Sequence, residues 1–94
     1  MDTAYIQSAE RHLIAIILEE IEANGSYKKH TDFAKAAFGD EVANYNNKWL
    51  RLRTCQNNIT FSDIVRIGIV LQIEPSLLIA QAYNNLRKGK SVSI

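Results

Sequence analysis

Apolar residues recur along this chain three and four positions apart, in blocks separated by polar or glycine-bearing stretches, which is the pattern of amphipathic helices. In the first block, about residues 3–23, Ile6, Leu13, Ile14, Ile17, Leu18 and Ile21 fall at helical spacings with Glu10, Glu19, Glu20 and Glu22 interleaved. That predicts a helix of about five turns. Asn24 and Gly25 tolerate the left-handed backbone that closes a helix, so the helix should stop there. Ile16 stands off the main stripe and is a candidate for contact with a second subunit. After the connection Tyr27-Lys28-Lys29-His30, Thr31 offers an N-cap for a second helix running through Phe33, Ala34, Ala37 and Phe38 to Gly39. The two phenylalanines supply bulk, and the two alanines permit a close helix crossing.

The next stretch, Gly39 to Thr54, has two unlike faces. Val42, Tyr45, Trp49 and Leu52 recur at steps of three, four and three, while Asn46, Asn47, Lys48, Arg51 and Arg53 project elsewhere. The whole stretch reads as one helix with a core face and a face rich in amides and cations. Such side chains hydrogen-bond base edges and phosphates, although a polar outer face is also what an ordinary surface helix carries. Trp49 belongs to the core face, and Tyr45 fits either core or groove.

Thr54 to Asn58 is a polar loop. Thr60 and Asp63 then stand at capping-box spacing, with Ile59 placed to staple onto Ile64, so a fourth helix begins at Thr60. Its broad apolar face, Phe61, Ile64, Val65, Ile67, Val70 and Leu71, predicts the most buried helix of the set, with Gly68 giving close approach to a neighbour. Pro75 suits the first turn of a fifth helix, Glu74 caps it, and Leu77, Leu78, Ile79, Ala82, Tyr83 and Leu86 complete it before the basic end at Arg87 and Lys88. The expected fold is therefore all-α, five helices in one domain over residues 1–90, with a frayed tail at 91–94.

Composition narrows the function classes. The 94 residues are 47% hydrophobic and 22% charged, the proportions of a globular protein, and Leu13 to Leu18, the longest apolar run, is far too short to span a bilayer. Residues 1–10 lack a basic start leading into a cleavable apolar segment, so the expected location is the cytoplasm. A single cysteine, Cys55, cannot form an internal disulfide, and His12 and His30 are too far apart in sequence for a metal-ligand motif. Neither Cys55 with His30 nor His12 with Glu10 has an orienting third group, so neither an enzyme nor a cofactor is expected. Net charge is only +1, but it is unevenly distributed: Lys48 to Arg53 holds three cations and no acid.

Five helices with a short second and an amide-rich third resemble the phage repressor and Cro-like helix-turn-helix family, often called the XRE family. The resemblance covers roughly Leu13 to Ile79. It lies chiefly in TFSDIVRIGIVLQIEPSLLIA, Thr60 to Ala80, which is similar to the family's fourth helix and the start of its fifth. KWLRLR, Lys48 to Arg53, looks like the end of its recognition helix, and Thr31, Phe33 and Ala34 resemble the start of its scaffold helix. The chain is longer than compact members between Ala34 and Trp49, and Cys55 and Gln72 stand where the family often has glycine.

The resemblance implies a DNA-binding transcriptional regulator of the lambda-repressor-like fold, acting on double-stranded DNA as a homodimer. With Trp49 aligned on the first core residue, Asn46, Asn47 and Arg51 face bases, and Lys48, Arg53 and Thr31 lie near phosphates. The alternative is a protein-interaction module that kept the scaffold, an idea supported by near-neutral charge and by Asp32, Asp40 and Glu41 near the presumed DNA face.

Overall fold

The chemistry of the helix ends sets the architecture. In the computed structural model, which describes residues 3–90, the helices are α1 (Thr3–Asn24), α2 (His30–Phe38), α3 (Tyr45–Arg53), α4 (Phe61–Leu71) and α5 (Pro75–Arg87), and no strand occurs among the described residues. The fold is all-α; the tail at 91–94 lies outside the described residues. Thr60 and Asp63 form the full capping box, the Thr60 hydroxyl accepting from the Asp63 amide and the Asp63 carboxylate accepting from the Thr60 amide. Pro75 stands in the first turn of α5, although Glu74 makes no side-chain cap bond.

Two helix starts differ from the sequence expectation. α2 begins at His30, with Lys29 at the cap and no side-chain cap bond, so Thr31 lies exposed in the first turn instead of capping it. α3 is shorter than the two-faced stretch that predicts it. Backbone amides of Glu41 and Val42 both donate to the Phe38 carbonyl, which folds residues 39–44 into a turn, and Asn44 then caps α3 by accepting from the Asn47 amide. Asn44 restarts the helix after Gly39 ends α2, and this cap is the local signal that the apolar periodicity runs across.

Packing groups the helices into two pairs, α1 with α5 and α2 with α3, and α4 touches α1, α2 and α5. The α2–α3 pair closes on Trp49, whose ring centroid lies 4.9 Å from that of Phe33 and 6.4 Å from that of Phe38. All three rings are fully buried, and Ala34 and Ala37 are buried beside them, as close crossing requires. Ile16 is buried too: α1 is covered on more than one side, so its apolar surface is wider than a single stripe and Ile16 is not available to a second subunit. Gly68 marks a tight approach between α4 and the start of α5. A Cβ there would sit 2.8 Å from the Ile73 carbonyl oxygen and 2.9 Å from Pro75 Cγ, so the turn into α5 closes directly over it.

α4 departs most from expectation. Ile64, Ile67 and Leu71 are buried, but Phe61 is 75% exposed and Ile69 70% exposed. Its apolar face is broad, interrupted only by the sector of Ser62, Asp63 and Arg66, and neighbours cover only part of that face. On α5, Leu78 and Ala82 face inward, whereas Leu77, Ile79 and Tyr83 are exposed.

Candidate nucleic-acid interface

α3 is held by its inner side and presents its outer side to solvent. Trp49 and Leu52 are anchored in the core, and Tyr45 is half-buried against it. The indole N–H of Trp49 donates to His30 Nδ1 at 3.1 Å, which gives the buried ring its hydrogen bond and fixes α3 against the start of α2. That bond needs a neutral His30. Partial burial, then the charge of Arg53, hold the imidazole below its ordinary pKa, and its place in the first turn of α2, at the positive end of the helix dipole, also disfavours a cation. Sequence alone makes His30 an exposed linker residue; it is exposed, yet it orients the central tryptophan.

The second set of restraints is ionic. Lys48 pairs with Glu41 and, at 3.0 Å, with the buried carboxylate of Asp63, and its ammonium sits 5.0 Å above the Phe38 ring. Burial alone would lower the Lys48 pKa, but the bonds to Glu41 and Asp63 outweigh it and raise it. For Asp63 burial opposes ionisation, and the bonds from Thr60 and Lys48 win, holding it below the usual carboxylate range. Arg66 of α4 completes the network: it donates to the Ala37 carbonyl at 3.2 Å and pairs with Asp40 at 2.6 Å and Glu41 at 3.2 Å. Two acids that sequence places near the presumed DNA face are thus matched by Lys48 and Arg66. They fasten the turn between α2 and α3 to α4.

The expected contact residues consequently divide. Asn46 and Arg51 are exposed, Asn47 is half-exposed on the same outward side, and the outward side also carries Leu50, 41% exposed. Arg51 and Arg53 form no salt bridge among the described residues, and both lie in the last turn of α3, where a cation is favoured by the dipole. Lys48, assigned to phosphate from sequence, points instead into the network of Glu41 and Asp63. Thr31 lies on α2, exposed in its first turn.

Sequence reading passed over the loop after α3. Gln56 and Asn57 amides both donate to the Arg51 carbonyl, folding the loop back along the helix, so that Asn57 and Asn58 line one depression with Asn44, Asn47 and Arg51. The adjacent amides Asn57-Asn58 were the available signal. Among the described residues no group of three His, Cys, Asp or Glu side chains gathers to hold a metal, and no helix is long and apolar enough to cross a membrane.

No family model, curated protein or solved structure matches this chain. The functional reading therefore rests on the geometry of α3 and its surroundings.

Proposed function

We propose that the chain is a sequence-specific DNA-binding transcriptional regulator of helix-turn-helix type, with α3 reading the major groove of double-stranded DNA and two copies reading two half-sites. One observation carries the reading: α3 is clamped by Trp49, Leu52 and Lys48 on one side, while Asn46, Asn47, Leu50 and Arg51 stand together on the other. A helix fits the major groove, and these are the side chains that read it: Asn bonds adenine N6 and N7, Arg bonds guanine O6 and N7, and an apolar contact such as Leu50 suits the thymine methyl. Arg53 and Thr31 are assigned to phosphate. The lambda-repressor-like arrangement gains support from Cys55 and Gln72, where that family often has glycine: both adopt left-handed backbone, each at φ 59°.

Selection of bound sequences from a random duplex pool tests the reading, and an enriched palindrome is expected. Asn46→Ala, Asn47→Ala or Arg51→Ala should then weaken the preferred site more than random DNA, by about 1–3 kcal/mol, and relax preference at one base position. Arg53→Ala should weaken all duplexes alike and reduce the salt slope by about one. Lys48→Ala should act through the fold, leaving Asp63 buried without its cation. Absence of enrichment would transfer the weight to the alternative, a protein-interaction module, which the exposed apolar residues of α4 favour.

A further inference from the structure

The two most exposed large apolar side chains among the described residues lie on one helix. Phe61 and Ile69 are eight residues apart on α4, two turns and a little more, with Val65 midway between them. The three form a line about 12 Å long, flanked on α2 by Ala36 and Lys35 and shared with Arg66 in one open groove. Exposed leucines or isoleucines singly need no explanation, but a contiguous line with a phenylalanine three-quarters exposed marks an interaction surface.

We infer that this line is the contact between two copies of the chain, packed across a twofold axis at Val65 with their α4 helices antiparallel. An isologous interface must be complementary to itself, each residue meeting its counterpart in the reversed order. The line satisfies that condition: a large side chain at each end and a small branched one in the middle, so that Phe61 of each copy packs on Ile69 of the other. The charges comply as well. Asp40 is held by Arg66, and Glu41 reaches both Arg66 and, through Lys48, Asp63, so the end of α2 overlies the first half of α4. Lys35, a turn and a half earlier on α2, lines the same groove and forms no salt bridge among the described residues. Reversal about Val65 brings the Lys35 of each copy toward the Asp40 of the other, whose side chain is 76% exposed.

Three apolar side chains and a narrow rim make a small interface, below the ~800 Å² per partner of a standard one, so the pair is weak and is sought over a wide concentration range. The inference takes from the proposed function only the expectation of a pair, and its test uses no DNA. Sedimentation of the full chain from about 1 µM to about 500 µM should show a monomer passing to a dimer. Phe61→Glu and Ile69→Lys, both at exposed positions, should each give a folded monomer by circular dichroism across that range. Mixing the two variants should restore a dimer, because the mixed pair keeps one Phe61–Ile69 contact and replaces the other with a Glu–Lys pair. A wild-type monomer throughout overturns the inference, as does a variant that dimerises like wild type or a mixture that stays monomeric. A monomer that nevertheless selects one DNA half-site would leave α3 as the reading helix but remove both this interface and the pairing of half-sites.

Discussion

α3 and α4 are neighbours of similar length, and they use their circumferences in opposite ways. α3 is polar outside and buries only Trp49 and Leu52 fully, so one side is unmistakably inward; α4 buries Ile64, Ile67 and Leu71 and still exposes Phe61 and Ile69. The difference shows what an apolar pattern can establish. Where apolar residues occupy a single narrow stripe, the stripe is the core contact. Where they form a broad face, as on α4, the pattern gives burial without its limits, and the arrangement of neighbours decides which residues of that face are left outside.

The comparison can be broken first at the inner side of α3. Trp49→Ala should cost about 3–5 kcal/mol, because a fully buried aromatic packed on Phe33 and Phe38 is removed and the His30 acceptor loses its donor. Phe61→Ala, an aromatic deletion of comparable size on the outer side of α4, should change monomer stability by no more than about 0.5 kcal/mol. Denaturant titration at a concentration where the chain is monomeric measures both. Equal losses would show that Phe61 is a core residue and that the contrast between the helices is mistaken.

Gly68 sharpens the contrast within α4 itself. Buried beneath the turn into α5, Gly68→Ala should destabilise by about 1–3 kcal/mol despite alanine's better helix propensity, because the added methyl meets the Ile73 carbonyl and the Pro75 ring, and backbone cannot step aside as a flexible side chain can. A rise in melting temperature on that substitution would contradict the packing of the turn into α5.

Much of the fold was legible because its signals are local. The capping box at Thr60, the left-handed Gly25 and Pro75 each specify a boundary from a few adjacent residues, and Trp49 sits on a stripe with one interpretation. What escaped depends on residues far apart in sequence. His30 and Trp49 are 19 positions apart, and Arg66 is 26 from Asp40; neither partner announces the other, so the hydrogen bond and ion pairs that aim α3 could not be read in advance. The candidate contact face was readable as residue types, whereas the commitment of Lys48 to Asp63 depended on how α3 and α4 meet.

These long-range ties should be visible in the pH dependence of stability. His30 binds its proton less readily in the folded chain than in the unfolded one, so the stability tied to its neutral form is present above the ordinary histidine pKa and is lost as pH falls through the folded value. Between about pH 7 and 5 the melting temperature should therefore fall, with Trp49 fluorescence changing as its acceptor is protonated. Asp63 obeys the same sign at lower pH: its carboxylate is held below the usual range, and the contribution it makes to joining α3 and α4 is lost as pH falls below about 4. In His30→Asn the first of these slopes should vanish and the second remain. A wild-type profile flat from pH 7 to 5 would remove His30 from any account of how α3 is held.

The smallest effect concerns how these two helices end. α3, α4 and α5 close with the same pair of backbone bonds, one spanning five residues and one spanning three: Gln56 to Arg51 and Cys55 to Leu52, Ile73 to Gly68 and Gln72 to Ile69, Lys90 to Asn85 and Gly89 to Leu86. Each closure requires one left-handed residue, and these are Cys55, Gln72 and Gly89. Only α5 uses glycine. A residue with a Cβ pays roughly 1–2 kcal/mol in that conformation, and glycine gives back about 0.5–1 kcal/mol of it through the greater freedom of its unfolded chain. Gln72 is exposed, so its side chain offers little packing to lose, and Gln72→Gly should stabilise the protein by about 0.5–1 kcal/mol. At Cys55, half-buried against the core, the same exchange also removes packed atoms, and the gain should be smaller or reversed. Gly89→Ala runs the test backwards and should cost about 1 kcal/mol. Thermal melts of the three variants order these outcomes; a Gln72→Gly chain less stable than wild type would mean that the end of α4 draws more from the glutamine side chain than its exposure allows.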